Sequence, residues 1–107
     1  MNPGELRDKV DICIKVELEG AVENLHGTYD TIAENIWMKR NQLLGKESIE
    51  MGLEHNTVQV NFISRKRNDI SENMYIRHKG IMHNIIGFNE LPNDKNYMLI
   101  ATIRRHD

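Results

Sequence analysis

The chain is short of nearly every residue pattern that announces a chemistry. Its seven glycines are scattered, and neither GxGxxG nor GxxxxGK[ST] occurs, which excludes the common phosphate-cradling loops. Cys13 is the single cysteine, so no intramolecular disulfide and no thiolate metal cluster can form, and a small packed side chain is the expected role. Aromatic residues make up 6%, too few for a platform on which single-stranded bases stack. The longest uncharged apolar stretch, Ile81 to Asn89, is about nine residues against the roughly 20 that a membrane helix needs, so no membrane partner is expected. The start, MNPGELRDKVD, has no apolar core of a signal peptide, which implies synthesis in the cytoplasm. A formal net charge of −2 argues against a free-standing nucleic-acid binder, because that affinity comes from clustered cations on phosphates.

Catalytic groupings are missing too. The five histidines, His26, His55, His78, His83 and His106, form no HExxH or other zinc spacing. His78 and His83 flank the Lys79-Gly80 turn and could face each other across a hairpin, but a third ligand is lacking, so they read as exposed strand residues. No nucleophile stands beside a base in a recognisable context. An enzyme, a metal site and a cofactor are therefore not expected.

What is present is β periodicity. With 107 residues, 39% hydrophobic and 28% charged, the chain reads as a single domain spanning residues 1–107. Val10 to Leu18 alternates, placing Val10, Ile12, Ile14, Val16 and Leu18 inward and Asp11, Cys13, Lys15 and Glu17 outward. Gly20 to Asp30 is polar and irregular, a loop. Thr31 to Leu43 fits a helical stripe or a strand; a strand is preferred because a small barrel needs a second long one, with Ile36, Met38 and Arg40 on one face and Trp37 and Lys39 on the other. Trp37 reads as core, with interface anchor as the other role of a lone tryptophan. Gly45 to His55 reads as a short helix or a mobile loop, its Glu47, Glu50 and Glu54 a solvated face. Val58, Val60 and Phe62 mark the next strand, and Ser64 to Asp69 a basic loop.

The stretch from Met74 to Arg105 then supplies three strands. Met74–Lys79 and Ile81–Phe88 are joined at Gly80, which offers the positive φ of a hairpin turn, and Leu91 to Asn96 concentrates turn formers before Tyr97–Arg104. In that last strand Tyr97, Leu99, Ala101 and Ile103 oppose Met98, Ile100 and Thr102, so both faces are apolar and a covering partner is expected over Met98 and Ile100. The fold class expected is mainly β, a small antiparallel barrel of about six strands with one short helix or mobile loop.

The order of these pieces resembles a known family: MNPGELR before an alternating strand, IW at Ile36-Trp37, LLGKE at Leu43 to Glu47, TVQVNF, the hairpin MYIRHKGIMHNIIGF, a polar turn and YMLIATIRR. It is similar to the head-tail joining proteins of tailed bacteriophages and prophages, the head-completion or stopper subunits. One departure is His83, where the family usually has an aromatic residue. The resemblance implies a homo-oligomeric, dodecameric ring beneath the portal and its adaptor, closing the DNA-filled head, docking a tail-completion or tail protein and holding back packaged double-stranded DNA. The implied gating segment is Met38 to Thr57, with Lys39, Arg40, Lys46, Glu47 and Met51 as channel residues and Trp37, Met98 and Ile100 as interface. The implied location is the bacterial host cytoplasm during assembly and then the virion. The other class kept open is an OB-like or SH3-like barrel binding nucleic acid or peptide.

Overall fold

The computed structural model describes residues 3–16, 28–42 and 57–105. Six antiparallel strands follow a 3-10 turn at Pro3–Glu5: β1 (Asp8–Val16), β2 (Thr28–Gln42), β3 (Thr57–Arg65), β4 (Tyr75–His78), β5 (Ile81–Leu91) and β6 (Asp94–Arg105). They hydrogen-bond in the order β1-β2-β3-β6-β5-β4, and β4 returns to β1 to close the barrel. The expected six-stranded antiparallel barrel is the observed one. The segment expected as a helix or loop, Gly45 to His55, lies outside the described residues.

Alternation builds the interior as expected for β3, and β6 supplies the row that faces it. Val60 pairs with Thr102, which pairs with Ile85, and Phe62 pairs with Ile100 one layer along. These rows join Val10, Ile12, Met38, Ile76 and Met98 in one core cluster. Thr102 is buried among them, and its hydroxyl donates to the Val60 carbonyl at 2.7 Å, which removes the cost of an unpaired polar group.

Two bulges in β2 set which of its residues face the core. Val10 opposes Ile36, Ile12 opposes Ala33 and Cys13 opposes Thr31, so β2 spends extra residues around Glu34-Asn35 and at Ile32. Asn35 takes φ 56°, a left-handed conformation that asparagine tolerates. As a result Ala33 and Ile36, three apart, both pack against the core, which is the spacing that made the segment look half helical. On β1, Cys13 was expected outward and is fully buried, its Sγ 3.8 Å from Thr31 Oγ1, while Ile14 and Val16 are only half-buried. Periodicity cannot report a bulge, because the inserted residue resets the alternation.

Strand ends differ as well. Thr28 to Asp30, expected in a loop, belong to β2, and the turn after β5 shrinks to Pro92-Asn93 because Leu91 already pairs with Asp94. Trp37, read as core, is 51% exposed. Met98 and Ile100, expected beneath a neighbouring subunit, face the interior instead and are covered by this chain's own strands. The face of β6 that remains half-exposed carries Leu99, Ala101 and Ile103.

The β4–β5 hairpin turns through Lys79 (φ 51°) and Gly80 (φ 81°), the two positive values that a type I′ turn needs. Lysine has no special tolerance for that region. Lys79→Asn should raise the unfolding free energy by about 1 kcal/mol, and Gly80→Ala, whose new Cβ would meet nothing within 4 Å, should lower it by about 1 kcal/mol through the backbone alone; urea denaturation measures both.

Candidate functional site

The barrel closes through a short seam, since β1 and β4 share three residue pairs: Asp11 with Arg77, Ile12 with Ile76 and Cys13 with Tyr75. Side chains reinforce it. Asp11 Oδ1 accepts the Asn35 backbone N–H at 3.0 Å, Arg77 donates to Asp11 Oδ2 at 2.7 Å, and Arg77 also donates to Thr31 Oγ1 at 3.0 Å. The Asn35 N–H, followed by the Arg77 guanidinium, holds the Asp11 carboxyl below its ordinary range. Because strands β4, β1 and β2 meet at one carboxylate, the bulge at Asn35 and the seam are a single unit.

Beside it lies the rim from which β2 leaves the barrel. Asp8 Oδ2 accepts the Arg40 backbone N–H at 3.1 Å, and Asp8 Oδ1 stands 3.4 Å from His78 Nε2. Lys39 reaches Glu5 at 3.8 Å. Both Lys39 and Arg40 sit in the short β2–β3 ladder, opposite Ile63 and Phe62, immediately before residues 43–56. Of the channel residues expected, these two stand together at the root of that segment; Lys46, Glu47 and Met51 lie outside the described residues. Sequence reading missed Asp8, whose i, i+3 relation to Asp11 places it nowhere special until the strands close.

His78 and His83 do approach, with ring centroids 6.4 Å apart, but both pack edge-on against Phe62. They were expected as exposed and are buried. His83, at 1% exposure, occupies the place where the family's aromatic residue is expected, 5.2 Å from the Phe62 ring. Its Nδ1 faces the Ile76 and Ile81 carbonyls at 3.2 and 3.1 Å, and since carbonyls only accept, Nδ1 carries the proton. Nε2 is buried with no hydrogen-bond partner among the described residues. No group of three or more His, Cys, Asp or Glu placed to hold a metal ion occurs among the described residues.

Two of the surface grooves are lined by described residues. One, of about 400 Å³, is lined by Leu6, Arg7, Trp37 and Arg65, with Lys9 Nζ 5.3 Å from the Trp37 ring centroid. The other, of about 460 Å³, has Ile70, Phe88 and Met98 among its walls and Lys66, Arg67 and Glu90 at its rim.

A small barrel of this kind hosts many functions, so the comparison of the whole chain decides. The family model for the phage head completion protein matches residues 1–104. The chain belongs to that family. It is therefore a structural component of a phage head, a virion protein with a role in head closure, in a family that is structural rather than enzymatic, and membership implies contact with capsid or portal and tail components. Among solved structures, the solution structure of protein SF1141 from Shigella flexneri 2a is similar at 26% identity and a TM-score of 0.66, covering 98% of this chain and 96% of that one. No curated protein matches the chain.

Burial pushes His83 down from 6.5 to about 4, because charging it would place a second N–H in the core without an acceptor. The contribution is complete above the unfolded value of 6.5 and is lost as pH falls towards about 4, since the unfolded chain binds the proton first. At about pH 5 the loss should be about 2 kcal/mol relative to pH 7. His78, also lowered by burial, adds to it with the same sign. His83→Phe should flatten most of that slope in guanidinium midpoints measured at both pH values. An equal slope in the variant would place the sensitive group elsewhere.

Proposed function

We propose that this phage head completion protein assembles as a ring, dodecameric as in the resemblance above, that closes the DNA-filled capsid at the portal or its adaptor. The same ring docks the tail and gates the DNA, with residues 43–56 projecting into the channel. The observation that carries this reading is the match to the head completion family over residues 1–104, joined to where the barrel opens. The β2–β3 ladder ends with Gln42 opposite Val60, so the chain leaves and returns at one point of the rim.

Lys39 and Arg40 stand at that root, and Lys46 follows within the segment. Repetition around a ring turns three cations per subunit into a lumen field attractive to phosphate, even though the chain's own charge is −2. Glu47 and Met51 belong to the same projecting segment. Trp37, half-exposed on β2, is the side chain offered to a neighbouring subunit. Assembly takes place in the host cytoplasm and ends in the virion.

Particles built with a variant in which residues 45–55 are replaced by a short Gly-Ser linker should incorporate the protein and lose packaged DNA. Incorporation is read from purified particles by gel, and retention by nuclease sensitivity of the genome. Full retention in particles that contain the variant would remove the gating role while leaving head closure intact.

A further inference from the structure

One outer face of the barrel is basic around an indole. The register sets Lys9 opposite Trp37 and Lys39 opposite Ile63, so Lys9, Trp37, Lys39, Ile63 and Arg65 share that face across β1, β2 and β3. Arg7 lines the same groove as Trp37 and Arg65, and Lys9 Nζ stands 5.3 Å from the ring centroid. Lys39 is paired with Glu5, whereas Arg7, Lys9 and Arg65 have no ion-pair partner among the described residues. Three cations beside an exposed indole suit a partner strip that is both acidic and aliphatic.

We infer that this groove receives residues 17–27 of the neighbouring copy in the ring, their glutamates meeting the three cations and an aliphatic side chain meeting Trp37. That stretch, ELEGAVENLHG, carries Glu17, Glu19 and Glu23, no lysine or arginine, and the aliphatic Leu18, Val22 and Leu25. The inference rests on the ring proposed above and names the contact between successive copies. The segment cannot fill the groove of its own chain. Val16 pairs with Thr28, so both ends of the segment stand at the opposite end of the β1–β2 ladder from the Lys9–Trp37 pair. Lys9 and Val16 are seven positions apart, about 24 Å at about 3.4 Å per residue, and Arg7 is further still. Eleven residues held at both ends reach out by only half of their extended length, about 20 Å. An acidic strip at one end of the molecule and its acceptor at the other form a head-to-tail contact, which generates a ring when its rotation closes.

Two other occupants suit the groove less well. Residues 43–56 carry Lys46 next to Glu47 and are already assigned to the channel. Duplex DNA answers the cations but leaves Trp37 and Ile63 without an apolar partner, because its bases are stacked.

The test uses purified particles. In a chain carrying Glu19→Cys and Arg65→Cys, a short bismaleimide should join successive copies and give a ladder of chain multiples on a denaturing gel. Either substitution alone should give monomer, since the native Cys13 is buried. Monomer from the double variant, in particles that hold several copies, would overturn this contact and leave the ring intact. One copy per particle would remove the ring and the contact together. A ladder from Glu47→Cys with Arg65→Cys, and none from the Glu19 pair, would give the groove to residues 43–56 and overturn the inference. Arg7→Glu with Arg65→Glu, both at exposed positions, should lower the copies incorporated by about tenfold. Adding Glu19→Lys and Glu23→Lys to that chain should restore them. Unchanged incorporation, or loss without rescue, would also overturn the contact. None of these readouts depends on DNA retention.

Discussion

Closure of the sheet at the β1–β4 seam is the constraint on which the rest of the structure depends. A six-stranded antiparallel sheet left open would present two edges, and three residue pairs are all that remove them here. Asp11 makes that economy workable, because one carboxylate is shared by the Asn35 backbone on β2 and the Arg77 guanidinium on β4. Its charge-assisted bonds lie at a partly solvated surface, so their energetic contribution is modest and their geometric one large. They fix which residue of β4 stands beside which residue of β1, and with it the register of the interior.

The bulges follow from that closure. A strand as long as β2 has to bend to serve β1 along most of its length and β3 at its end, and an inserted residue with a left-handed neighbour is how a strand bends. The bend carries Met38 into the core and turns Trp37, the next residue back, to the surface beside Lys9. Structure and function meet on this strand, since it supplies core, rim and exposed anchor within a few residues. The rim is held by Asp8 in the same manner as the seam is held by Asp11, through a backbone N–H of β2.

Much of the fold was legible because its signals are local. Alternation marked β1, β3 and β6, the Lys79-Gly80 pair marked a hairpin, and the order of motifs marked the family, each within a short window. The site was less legible. Lys39 and Arg40 were placed within the candidate segment from sequence and lie instead on β2 at its root, while Asp8, Asp11 and Arg77 carry no pattern along the chain and acquire their roles only across strands. Met98 and Ile100 show the same limit in reverse. A strand apolar on both faces was read as needing a neighbour, yet the barrel buries one face by curling the sheet around it.

By itself, then, the sequence determined the number of strands, their antiparallel order of hairpins and the family, since these depend on residue type and spacing that a few neighbours suffice to define. Tertiary structure alone decided which face of β2 and of β6 is interior, that His78 and His83 are buried, and that Trp37 is exposed. The physical reason is that facing is cumulative along a strand: one extra residue at Ile32 or Asn35 reverses every position beyond it, and whether the extra residue is tolerated depends on partners far away in the chain.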